Sequence, residues 1–557
     1  MPARSRPIDL RHLGDFDVGP RLLAITAFAL PIGALSAGVA WCLLRLIGLI
    51  TNLVFYQRLG TALVAPGEIH HSPFLILLAP VCGGLAIGLM ARFGSEKIRG
   101  HGIPEAIESI LTGGSRIQPR VALLKPLASA IAIGTGGPFG AEGPIIMTGG
   151  AFGSIFAQLL HLTADERKTL LVCGAAAGMA ATFDAPLASV LLAVELLLFE
   201  WRPRSFIPVA AAVAVATVVR VPLLGSGPIF PMPTGHLHLD AGSYALCIVT
   251  GALAGVLALV ATSLVYLSED GFQRLPIHWM WWPAIGGLII GLGGLIVPQA
   301  LGVGYDVIGA ELNGTLALDL IVGILVVKTL IWSLSLGSGT SGGVLAPMLM
   351  IGGALGGLEA QVFPHVATGF WPLVGLAGVL GGVMRSPLTG VVFALELTHR
   401  YEALLPLLIG ATAAYAVSIL ILRRSVLTEK IARRGVHLTR EYSVDPLEVL
   451  FVGDVMGDAR PVDARNDGRA EARLDEPPIV FTDDTLRHIA YVMAESGRTE
   501  LPVAERTLPT VPVGTVRLEQ LLEARLRDLD EERHRTRVLR PLELLGVGRA
   551  TTPGGGR

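Results

Sequence analysis

Gly140-Ala-Glu-Gly-Pro-Ile-Ile-Met-Thr-Gly-Gly-Ala-Phe-Gly153 returns 203 positions later as Gly343-Val-Leu-Ala-Pro-Met-Leu-Met-Ile-Gly-Gly-Ala-Leu-Gly356, with Gly, Pro, Met and a Gly-Gly-Ala-x-Gly run in register. A second block, Pro186-Leu-Ala-Ser-Val-Leu-Leu-Ala-Val-Glu-Leu196, returns 201 positions later from Pro387 to Leu397. Two blocks in the same order at nearly the same offset mark two halves built from one unit. In membrane transport proteins such repeats are often inverted across the bilayer, and the binding site sits at their interface.

The chain around these blocks suits lipid. Of 557 residues, 52% are hydrophobic and 16% charged, against about a quarter charged in soluble domains. Mean hydropathy is +0.62, and 68 Gly with 36 Pro suit closely packed and broken membrane helices. Collagen-like, disordered and single soluble-domain classes are excluded. A net charge of −2 carries no basic surplus for nucleic acid. Cys42, Cys82, Cys173 and Cys247 lie in apolar stretches without metal-ligand spacing and read as small core residues. No nucleophile–base triad, zinc spacing or phosphate loop appears, so no enzyme activity, metal or cofactor is expected.

Arg4, Arg6 and Arg11 precede an apolar run, Leu22 to Ile50, too long for a signal peptide and read as a retained helix. Further apolar runs lie near 74–92, 121–134, 145–161, 169–199, 206–224, 243–267, 283–303, 317–336, 344–358, 371–383, 388–397 and 402–422. Several fall short of the roughly 20 residues a spanning helix needs, which predicts broken or re-entrant segments. Arg423, Arg424, Lys430, Arg433 and Arg434 crowd the end of the last run, so both termini are expected in the cytoplasm. From about 441 the chain reads as soluble, with a charged stretch from Asp458 to Asp475 and a solvated helix over Glu523 to Arg540.

Each repeat has a Gly/Pro break before an apolar run, at Gly134 to Pro144 and Gly337 to Pro347, and Gly100-His-Gly-Ile-Pro104 has the same form. Pro in a first turn wastes no N–H, and the glycines before it leave amides free to meet a ligand. Three such N-termini can hold an anion moderately, without a trapping lysine or arginine. Glu142 stands inside one break. Ionised it competes with an anion for the amides and protonated it does not, so it is the candidate gate, proton carrier or both.

Gly100-x-Gly-Ile-Pro104, Gly140-x-Glu-Gly-Pro144, Ser341-Gly-Gly-x-x-Ala-Pro347 and Gly174-Ala-Ala-Ala-Gly-Met-Ala-Ala-Thr-Phe-Asp-Ala-Pro186 resemble the CLC family of chloride channels and proton-coupled chloride antiporters over residues 20–440. The resemblance implies an all-α polytopic membrane fold of two inverted repeats with broken, tilted helices, and a homodimer with one anion pathway per subunit. It makes Glu142 the gating glutamate and puts Gly100, His101, Gly102, Ile103, Pro104, Gly140, Gly143, Pro144, Gly343, Val344, Leu345, Ala346 and Pro347 on the pathway, amides near Val344 and Leu345 coordinating the ion. Lys125 matches a frequent basic position. His101 replaces a Ser common in chloride-selective members; a histidine ring can donate to an anion, and its ordinary titration range lies near neutral pH. Ala141 replaces a cation, Leu345 a Phe, and Leu427 the Tyr that often contacts the central anion.

In the family's antiporters a proton-taking glutamate follows the residue matching Glu195. Here that place is Leu196, and Glu200, one turn on, is its possible substitute; the possible proton path is then Glu142, Glu195 and Glu200, although Glu200 also suits a pair with Arg202. Glu195 and Glu396 suit capping of buried backbone. Leu196 and Leu427 favour a passive channel, and Glu200 leaves exchange open. A membrane sensor signalling through its tail is the reading of another class, opposed by retention of Glu142 and the breaks. The expected domains are an N-terminal segment, 1–20, a transport domain, 21–440, with repeats near 21–225 and 243–440, and a tail, 441–557. Near 450–525 the tail resembles one CBS domain, at Asp454-Val-Met456, Thr485 to Met493 and Leu501-Pro-Val503. Its α/β fold is expected from Leu486, Ile489, Ala490 and Met493 at helical spacing and a strand over Val511 to Val516. Arg517 and Gln520 replace the nucleotide-contacting Thr and Asp, which speaks against nucleotide binding. The compact chain suits a prokaryotic inner membrane.

Overall fold

The computed structural model describes residues 19–111, 114–233, 237–435, 447, 450–458 and 478–526. Arg4, Arg6, Arg11, most of the stretch from Asp458 to Asp475 and the helix expected beyond residue 526 lie outside them. The chain divides into two compact units, Met1–Arg440 and Glu441–Arg557.

The first unit is helical. Its first half holds α1 (Arg21–Phe55), α2 (Pro73–Phe93), α3 (Ile103–Leu111), α4 (Pro119–Gly134), α5 (Glu142–Leu159), α6 (Ala164–Phe183), α7 (Pro186–Leu192, continued by a π turn to Leu198) and α8 (Pro203–Leu224). The second holds α9 (Ala241–Gln273), α10 (Trp282–Ile296), α11 (Tyr305–Leu312), α12 (Leu318–Gly323), α13 (Thr329–Gly337), α14 (Leu345–Glu359), α15 (Phe370–Met384), α16 (Pro387–Thr398) and α17 (Leu404–Ile421), followed by α18 (Val426–Arg433). Proline opens α2, α4, α7, α8 and α16, where the missing N–H is harmless. Seven described helical stretches are long and apolar enough to cross a membrane, whereas α14, α15 and α16 are shorter.

The repeat extends into the packing. A Cβ at Gly149 would lie 2.2 Å from the Gly174 carbonyl oxygen, and one at Gly352 would lie 2.7 Å from that of Gly375. The α5–α6 and α14–α15 contacts are therefore backbone against backbone, which is why both copies need glycine there. Asp184 and Arg385, 201 positions apart, take left-handed conformations at the ends of α6 and α15 and turn the chain into α7 and α16.

The placement of the cysteines is a correction. Cys173 and Cys247 are buried, but Cys42 and Cys82 are exposed on α1 and α2. A membrane helix is apolar on its outward face as well, so hydrophobicity does not mark its inward side. The basic cluster after residue 421 is also more than a solvated edge: Arg433 pairs with Asp270, and Lys430 and Arg434 pair with Glu105 at 2.7 and 3.6 Å.

In the second unit, β1 (Gly457–Asp458), β2 (Val480–Phe481), β3 (Glu500–Glu505) and β4 (Leu508–Arg517) form a sheet in the order β1-β4-β3-β2. Only the β2–β3 pair is parallel, and helix Leu486–Ser496 makes the crossover that such a pair requires. Leu486, Ile489 and Met493 pack with Val480, Leu501, Val503 and Val516 in a core that also takes Leu521 and Ala524.

Candidate functional site

Three helix beginnings meet. Gly100 pairs with Ser341 and Gly140 with Gly343 as short β-bridges, so the chain before α3, α5 and α14 is laced together. Gly102, at φ +91°, would put a Cβ 2.5 Å from the Gly143 carbonyl oxygen, and a Cβ on Gly143 would fall 1.8 Å from that of His101. These approaches require glycine. Glu142 opens α5 with no exposed surface. Its Oε1 accepts from the Ala346 N–H at 3.2 Å, across the two repeats, and its Oε2 has no partner among the described residues. The carboxylate lies where Cβ atoms on Gly140 and Gly343 would stand, 1.8 and 2.4 Å from Oε2.

Several amides expected to face a ligand are already taken. Gly343 N–H donates to the Gly140 carbonyl at 2.8 Å, and Gly140 N–H donates back at 3.4 Å. Gly102 N–H donates to Glu105 Oε2 at 2.8 Å, because an acid in the first turn folds back on its own helix end. For Gly102, Gly140 and Gly343 the expectation of free amides is therefore corrected. Their role is close backbone packing, while Val344 and Leu345, at the start of α14, carry no side-chain cap.

A cavity of about 540 Å³ reaches this cluster, its wall including Arg99, Gly100, His101, Glu105, Lys430 and Arg434. His101 is 3% exposed, and its Nδ1 has no partner among the described residues. The Arg99 guanidinium lies over Trp279 and Trp282, 4.6 and 5.6 Å from the ring centroids. Leu427 is fully buried on α18, which packs against α3, and Tyr266 donates to the Val426 carbonyl.

Two lysines sit in equivalent places of the halves. Lys125 Nζ donates to the carbonyls of Ile98 and Gly100 at 2.8 and 2.6 Å, and Lys328 Nζ to those of Ala300 and Gly302 at 2.9 and 2.8 Å. Sequence reading missed Lys328, although extending the 203-residue offset from Lys125 finds it and Gly302-Val-Gly304 echoes Gly100-His-Gly102.

Glu195 and Glu396 are not brought into the cluster. Glu396 accepts from the Leu187 and Ala188 N–H groups at 2.9 and 2.8 Å, capping α7, and Glu195 accepts from the Thr389 N–H at 3.1 Å and from its hydroxyl, capping α16. Each repeat closes a helix of the other. Glu200 accepts from Ser205 Oγ at 2.6 Å and pairs with Lys168 and Arg202 at 3.7 and 3.6 Å, beside a cavity of about 280 Å³; Leu196 is fully buried.

Residues 82–419 match the family model described as voltage gated chloride channel. The voltage-gated ClC-type chloride channel ClcB of Citrobacter koseri is 33% identical over 379 residues, 65% of this chain and 88% of that protein. The Escherichia coli protein of the same name is 33% identical over 373 residues, with the same coverages. The fold is similar to that of a slow cyanobacterial Cl−/H+ antiporter, with a TM-score of 0.64, 23% identity and coverage of 75% of this chain and 99% of that one. It is also similar to a CLC-type fluoride/proton antiporter, with a TM-score of 0.62, 19% identity and coverages of 72% and 97%. The chain belongs to the voltage gated chloride channel, or CLC, family, and its first unit has that family's fold.

Proposed function

We propose that the protein carries a small anion of the chloride type across the membrane, through a pathway in each subunit whose gate is the Glu142 carboxylate. The observation that carries this reading is the Glu142 side chain lodged between Gly140, Gly343 and the Ala346 amide, where the two repeats meet. An anion and this carboxylate compete for the same donors. A proton on Glu142 weakens its hold on the Ala346 amide and frees the place, so flux rises as pH falls. Val344, Leu345 and His101 are the donors we assign to the ion, with Leu427 as an apolar wall.

Passive conduction is the reading we favour for the transport mode. Leu196 is apolar, and the Glu200 carboxylate is engaged by Lys168, Arg202 and the Ser205 hydroxyl, the pairing at the membrane edge that its sequence neighbours suggest. Proton-coupled exchange is the second reading, supported by the cavity beside Glu200 and by the antiporter activity named for the two proteins of similar fold. We place the protein as a homodimer in a bacterial inner membrane with both termini cytoplasmic. The tail is read as one CBS-like unit that packs rather than binds nucleotide: Arg517 N–H donates to Gln520 at 2.8 Å and its guanidinium pairs with Glu500 at 3.1 Å, so these side chains serve the domain itself.

The test is chloride and proton movement recorded together in proteoliposomes under an imposed chloride gradient. Uphill proton movement establishes exchange; chloride flux alone establishes passive conduction. Glu142→Gln removes the pH dependence of either, and unchanged pH dependence refutes the gate.

A further inference from the structure

Two cations stand in the cavity wall at the break before α3: Lys430 on α18 and Arg434 just past its end. A bare cation beside a pathway traps a permeating anion, whereas conduction needs a hold weak enough to release it. Both cations are met by one carboxylate. Glu105, 5% exposed, pairs with Lys430 at 2.7 Å and with Arg434 at 3.6 Å, and its Oε2 accepts from the Gly102 N–H at 2.8 Å. The Lys430 ammonium stands close to where a Cβ on Gly100 would be, so the pair lies on the break itself. His101, between the two glycines, is buried in the same wall, and its Nδ1 has no partner among the described residues. Amide, ammonium and ring together make the donor set of an anion site, and a carboxylate of the chain already holds the first two.

The repeat does not call for this acid. In α11, the counterpart of α3, Val307 stands three places after Gly304, where α3 has Glu105 three places after Gly102. Capping of α3 accounts for the bond to Gly102 but not for the cations, which come from a separate element packed against it.

We propose that Glu105 is a resident counter-ion at this end of the pathway: it occupies the Gly102 amide and balances Lys430, so that the transported anion is held there weakly and released. The inference rests on the reading of the helix-break cluster as an anion pathway. Without the carboxylate charge, Lys430 and the amide fall to the ion, which binds more tightly and leaves more slowly. Without Lys430, the carboxylate is left unbalanced and repels the ion.

The experiment is calorimetric titration of chloride into the purified full chain in chloride-free detergent buffer, with chloride efflux from proteoliposomes of the same variants. Glu105→Gln lowers the chloride Kd about tenfold, the order expected of one charge at partly screened range, and slows efflux at saturating chloride. Lys430→Met raises the Kd by a similar factor, and the double variant returns close to the parent. A carboxylate that only fastened α18 to α3 would give no gain of affinity, so a Gln variant that melts with the parent and binds chloride no more tightly overturns the inference. Should the Gln protein not fold, Lys430→Met decides, and an unchanged or lower Kd overturns it. The two failures are distinct. A parent that neither binds nor moves chloride refutes the transport reading and this inference with it; a parent that moves chloride beside a Gln variant with the parent's Kd refutes only the role of Glu105.

Discussion

Replacing Glu396 with Ala tests whether the two repeats are held together by exchanged caps. The substitution leaves the Leu187 and Ala188 N–H groups, which donate to it at 2.9 and 2.8 Å, without acceptors at the start of α7. Losing a helix N-cap costs about 1 kcal/mol, and leaving a buried donor unsatisfied costs roughly 1–3 kcal/mol. These terms describe the same two amides and overlap, so the expected loss is about 2–4 kcal/mol. Glu396→Gln keeps one carbonyl acceptor but turns an NH₂ toward the second amide, and should lose about half as much. Glu195→Ala removes the equivalent cap from Thr389, and because α7 and α16 pack together the double variant should fall short of the sum of the singles. Thermal unfolding of purified protein in detergent, followed by loss of the monodisperse chromatographic peak, ranks the variants. The expected order of apparent Tm is parent, Gln, Ala, double. An Ala variant melting with the parent would refute the reasoning, since the two amides would then have found other partners without cost.

Two further predictions concern the pathway. His101→Ser exchanges a buried ring, whose Nδ1 has no partner among the described residues, for a small hydroxyl, and should move anion preference toward chloride in a competition series of chloride, nitrate and thiocyanate; an unaltered series removes His101 from the ion. Gly143→Ala places a methyl 1.8 Å from the His101 carbonyl oxygen and should abolish flux while lowering folded yield, because backbone on both sides cannot yield. Normal flux from this variant would show that α3 and α5 are not in contact in the working protein.

Much of the membrane unit was legible because its determinants are local. The Gly/Pro breaks at Gly100, Gly140 and Gly343 announce helix starts, and the two offsets, 203 and 201, announce two halves. What was not legible depends on partners distant in sequence. Nothing near Gly102 says that its amide is taken by Glu105, and nothing near Lys328 says that Ala300 and Gly302 will offer it their carbonyls. Cys42 and Cys82 could not be told from Cys173 and Cys247, since apolarity in lipid does not distinguish inside from outside.

The lysine pair bears on what kind of ion such a fold can hold. Breaking a helix exposes the positive ends of some peptide dipoles and, on the preceding turn, the negative ends of others, so a bare break is indifferent to the sign of its guest. Lys125 covers the oxygens of Ile98 and Gly100, and Lys328 those of Ala300 and Gly302. Each ammonium thereby occupies oxygens on which a sodium or potassium ion would otherwise settle, so on the proposed pathway it disfavours cations without having to touch the anion.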